Sequence, residues 1–132
     1  MKCRVILNTI SDRIYWIKWE KFFNFIIPGD FSFFESQAVL DHYLSKWFDG
    51  VDEEGVYFFQ PPSFNLRERK VKLESGRHLT LLLSRHMKNI PMALTYMNPE
   101  HQWILEEISD GSLSDSEILE IPDLKIKDGF NL

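Results

Sequence analysis

GVYFFQPPSFNLRERKVKLESGRHLTLLLS, residues 55–84, is the stretch whose reading decides the fold. It reads as consecutive β-strands. Gly55 to Gln60 is rich in aromatic and β-branched side chains, and Pro61-Pro62 ends it because proline donates nothing to a ladder. Leu66 to Leu73 follows, with Val71 and Leu73 on one face and Lys70 and Lys72 on the other. Leu79, Leu81 and Leu83 occupy every odd position of the next run, which predicts a third strand after a turn at Gly76. A one-residue slip inverts every side chain of a strand, so Val71 and Leu73 must share a face with Leu79 and Leu81. Glu68, Lys70, Lys72, His78, Thr80 and Ser84 then fall together on the wetter side. After the break at Lys88 to Pro91, Met92 to Met97 predicts a fourth strand.

Outward from this centre, Lys2 to Leu7 predicts an opening strand. Tyr15, Trp19, Phe22, Phe23 and Ile26 follow the spacing of one helical face, so Ile14 to Ile27 is taken as a helix despite strand-favouring residue types. Ser32 to Glu35 has the pattern of a capping box, and apolar residues from Val39 to Phe48 recur at helical spacing until Asp49-Gly50. Asn98-Pro99 opens either of two elements. One is a helix with His101, Ile104, Leu105 and Ile108 on one face; the other is a turn into a returning strand from Trp103 to Ile108. Ser114 to Glu117 predicts a helical turn, and residues 122–132 an irregular tail. Together these give one α+β domain over residues 1–132. Its antiparallel or mixed sheet, of about four to six strands, packs on one or two N-terminal helices.

A chain of 132 residues can bury roughly two thirds of its unfolded surface. It therefore needs no cross-links to fold. Cys3 has no partner for a disulfide and no second thiolate for a zinc site, and no cofactor or metal is expected. The apolar run near Met1 is too short for a signal-peptide core, and Lys18, Glu20 and Lys21 interrupt the longest greasy region. A cytosolic protein with no membrane partner is the expectation.

The net charge of −5 conceals a division. Residues 65–89 carry seven basic against two acidic side chains, whereas 98–132 carry nine acidic against two basic. Arg67 and Arg69 alternate with Lys70 and Lys72 in facing, so the cations form no single stripe and nucleic acid is not the expected partner. No Gly-x-Ser-x-Gly elbow, phosphate-cradling glycine loop or His-x-x-x-His pair occurs. His78 and His86 remain as acid–base candidates for a metal-independent ribonuclease-like enzyme or phosphoesterase.

Two features point to binding instead. Nine of the nineteen aromatic residues lie within residues 15–34, and one helix cannot bury Trp16, Ile17 and Phe25 together on the same side as Trp19 and Phe22, so some stay exposed. Exposed rings of this kind anchor protein interfaces. Glu106, Glu107, Asp110, Asp115, Glu117, Glu120 and Asp123 would steer a basic protein partner onto such a surface. The sequence thus predicts a non-enzymatic cytosolic binding protein of the immunity or antitoxin type, occluding a basic toxin such as a nuclease. The alternatives are the His78/His86 enzyme and a homodimerising adaptor.

Overall fold

The computed structural model describes residues 2–6, 13–26, 50–114 and 116–122. The helix expected over Ser32 to Phe48 and the tail after Pro122 lie outside these residues. Strand β1 (Lys2–Val5) is followed by β2 (Arg13–Lys18), α1 (Trp19–Phe23), β3 (Tyr57–Phe59), β4 (Ser63–Arg67) and β5 (Lys70–Ser75). Then come α2 (Arg77–Ser84), β6 (Asn89–Met97), a 3₁₀ turn (Pro99–His101), α3 (Gln102–Ile108), β7 (Ser109–Leu113) and β8 (Ile118–Glu120).

The strands form two mixed sheets, not one. The small sheet has the order β3-β1-β8, with β1 and β3 parallel. The large sheet has the order β5-β4-β6-β2-β7, with β4 and β6 parallel and the other pairs antiparallel. One hydrophobic cluster joins them, drawing Cys3, Val5 and Phe59 from the small sheet and Phe64, Ile14 and Met92 from the large one. Burial pushes the Cys3 thiol up to about 11, so it stays protonated and unreactive at neutral pH.

The central stretch keeps two of its expected features and loses two others. Tyr57 to Phe59 is a strand that stops before Pro61-Pro62. In β5, Val71 and Leu73 are buried while Lys70 and Lys72 are exposed, as parity requires. However, Leu66 to Leu73 is a hairpin instead of one strand. Glu68 and Arg69 form its two-residue turn, with φ of 53° and 62°, the left-handed pair that closes a type I′ hairpin. Neither residue is glycine or asparagine, so the turn carries strain of order 1 kcal/mol per residue. The Arg67 guanidinium at its base lies 4.3 Å from the centroid of the Tyr96 ring.

Leu79 to Leu83 belongs to helix α2, so the parity argument fails beyond Leu73. Gly76 takes φ +77° as the helix begins, and its carbonyl accepts from both the amide and the hydroxyl of Thr80 at 2.8 Å. Leu79, Leu82 and Leu83 then share the buried face. A pure leucine run fits either period, and leucine is a strong helix former.

The N-terminal expectation is corrected in the opposite direction. Residues 13–18 are a strand, and only Trp19–Phe23 is helical. Ile14 and Ile17 are both buried although their spacing puts them on opposite faces of a strand, because both faces of the large sheet are covered here. Among the described residues the helices accordingly do not gather at the N-terminus; α2 and α3 come from the second half.

At Asn98 the helical alternative prevails. The Asn98 side chain accepts from the Glu100 amide at 3.1 Å, Pro99 occupies the first position, and His101, Ile104, Leu105 and Ile108 are buried. Ser114 to Glu117 closes a turn into β8, with the Glu117 carboxylate accepting from the Ser114 amide at 2.9 Å.

Candidate functional site: an aromatic row between opposite charges

Helix α1 is pinned by one residue. Phe22 is fully buried, stacks on Trp19 at 5.8 Å and meets Phe64 of β4 edge-on at 5.4 Å. That contact seats α1 on the large sheet, beside α3. Phe23, one residue on, points outward and is 54 % exposed. Phe25 then meets the edge of Trp103 in α3, with ring centroids 6.0 Å apart. Trp103 is 51 % exposed. A row of rings thus crosses from α1 to α3.

The outward face of α3 carries Trp103, Glu106 and Glu107, at the i, i+3, i+4 spacing opposite its buried Ile104, Leu105 and Ile108. Asp110 follows at the start of β7, exposed, and accepts from the Asn89 side chain at 3.2 Å. Two of the predicted acids therefore share a helix face with a half-exposed tryptophan, and a third follows two residues past the helix end.

The other predicted residues lie elsewhere. Glu117 and Glu120 are exposed at the small sheet, where Glu120 lies opposite Lys2 in the strand register. Asp115 and Asp123 are outside the described residues. Trp16 is not an exposed anchor: as part of β2 it faces Pro91 of β6 and packs, half-buried, against the core. The five described acids are divided between the α3–β7 side and the small sheet.

The small sheet has a character of its own. Arg4 lies between Phe58 of β3 and Ile118 of β8 in the register, and both are partly exposed. Its guanidinium reaches the Asp52 carboxylate at 3.3 Å and the Ser116 carbonyl at 3.3 Å. Hydrogen bonds from the Val56 and Glu54 amides, with the Arg4 pair, hold the Asp52 carboxyl below its usual range.

His78 and His86 are not brought together. One lies in the first turn of α2 and the other beyond its end, eight residues apart, or about 12 Å of helical rise. His86 instead lines an open cleft between residues 18–21 and 84–89. Among the described residues no group of His, Cys, Asp and Glu side chains could hold a metal, and no helix is long and apolar enough to cross a membrane.

Trp103 is a candidate interface residue that the predicted set of acids and Trp16 leaves out. Its signal was present, because the helical alternative at Asn98 puts Trp103, Glu106 and Glu107 on the face opposite the apolar one. The fold and this face define an α+β protein of two mixed sheets with a half-exposed tryptophan on an acidic helix face. Comparison with protein-family models, curated proteins and solved structures finds no match.

Proposed function

We propose that the chain is a non-enzymatic cytosolic binding protein whose α3 face docks on a basic protein. The specific reading is an immunity or antitoxin-type inhibitor that occludes a toxin, for example a nuclease whose active site must itself attract phosphates. The observation that carries it is Trp103, half-exposed on the helix face that also carries Glu106 and Glu107, with Asp110 two residues past the helix end. A large ring that is already fixed by an edge contact loses little entropy on binding, and tryptophan is among the residues most enriched at interface hot spots. The surrounding carboxylates accelerate encounter with a cationic partner and fix its orientation.

The test is affinity capture from the native cell, including products of adjacent genes, with wild type and Trp103→Ala in parallel. A stoichiometric basic protein should be retained by wild type, and the variant should bind it at least about thirtyfold more weakly. Glu106→Lys with Glu107→Lys should slow association and flatten its salt dependence. Capture that is absent, or equal for wild type and the variants, sinks the reading.

A further inference from the structure

The proposed interface leaves the cleft beside α1 unused. Its walls meet because the β2–β6 register sets Lys18 opposite Asn89, and because the Trp19 amide donates to the Lys88 carbonyl at 3.0 Å. Lys18, Lys21, Arg85 and Lys88 line it against a single acid, Glu20. In a chain of net charge −5 this is a local excess of positive charge. Among the described residues no hydrogen bond or ion pair occupies the ammonium groups of Lys18, Lys21 or Lys88. Clustered like charges raise the free energy of the folded state, and an anion between them removes that penalty.

The cleft measures about 460 Å³, within the span of small-molecule sites. Trp19 and Met87 give it apolar wall, while the Ser84 hydroxyl is turned to the Leu81 carbonyl at 2.6 Å and the Asn89 amide to Asp110, which leaves the cationic side chains as the groups that can meet an anion. This lining is complementary to a phosphate joined to a flat, partly apolar body. We propose that the cleft binds a mononucleotide, with its phosphate on the lysines and its base against Trp19. An extended nucleic-acid strand fits less well. A strand leaving past Asn89 meets the Asp110 carboxylate that Asn89 holds at 3.2 Å.

Isothermal titration of the full chain with AMP, inorganic phosphate and 5′-phosphorylated oligonucleotides of increasing length tests this directly. AMP should saturate one site and raise the melting temperature, and phosphate alone should bind more weakly. Lys21→Glu and Lys88→Glu should each weaken AMP about tenfold or more, with the circular dichroism spectrum unchanged, whereas Trp103→Ala should leave AMP binding intact. Should either reversal impair folding, glutamine at the same position takes its place, with the same direction expected. Affinity independent of oligonucleotide length identifies the terminal nucleotide as an equivalent source of the ligand; affinity that climbs with length overturns the choice of mononucleotide over strand. Phosphate binding as tightly as AMP removes the role given to Trp19. No saturable AMP binding, or unaltered binding by the charge-reversed chains, overturns the site altogether.

Discussion

The outward face of α3 and the cleft beside α1 have opposite charge, and they were assembled in different ways. The α3 face comes from five consecutive residues, Trp103 to Glu107, and a helical period suffices to build it. The cleft joins residues 18–21 to residues 84–89, and only the pairing of β2 with β6 brings those segments together. Local periodicity can make an interface, whereas a concave site needs a long-range register.

Both regions depend on α1 being seated. Phe22→Ala removes the ring that lies between Trp19 and Phe64, and should cost about 3–5 kcal/mol in urea unfolding. It should disturb the α3 face as well as the cleft, through the contact of Phe25 with Trp103. A variant that lost stability without any change in Trp103 fluorescence would break the link between them.

Gly76→Ala separates the two. At φ +77° an alanine is strained, and its Cβ would come within 2.7 Å of the Pro62 Cβ and 2.9 Å of its Cα. The cost should be roughly 2–4 kcal/mol from the backbone conformation and the overlap together. Because Gly76 starts the helix whose far end supplies Ser84 to Lys88, hydrogen exchange should rise around residues 77–89 and stay low in α3. Equal loosening of both would contradict their structural independence.

The smallest effect is electrostatic. Lys21→Glu relieves repulsion with Lys18, three positions earlier, and should stabilise by about 0.3–0.5 kcal/mol at low salt. The gain should fade as salt is added. Glu107→Gln on the other face should lie within about 0.5 kcal/mol of wild type. Thermal melts at two ionic strengths decide the matter, and a Lys21→Glu chain that melts lower at low salt would show the cleft is not repulsive.

Much of the fold was legible where one period applied without competition. The Pro61-Pro62 stop follows from the donor that proline lacks and the inward Val71 and Leu73 from side-chain alternation, whereas the face of residues 101–108 stayed open between a helix and a returning strand. The errors came where two periods fitted the same residues. Leu79, Leu81 and Leu83 satisfy a strand, but Leu79, Leu82 and Leu83 satisfy a helix, and a left-handed Gly76 starts the helix. Residues 14–27 appeared helical because a six-residue strand runs straight into a short helix, so that rings from both happened to share one spacing.

The sequence by itself determined the α+β class, the separation of basic and acidic segments, and the inward facing of Val71 and Leu73, because each depends on neighbours within a few positions. Tertiary structure decided the rest. It split the strands between two sheets, drew Trp16 against the core, left Trp103 outside, and gathered lysines from both ends of the described chain's first ninety residues into one cleft. Those outcomes turn on strand order and register, which are fixed by how distant apolar surfaces share a single core.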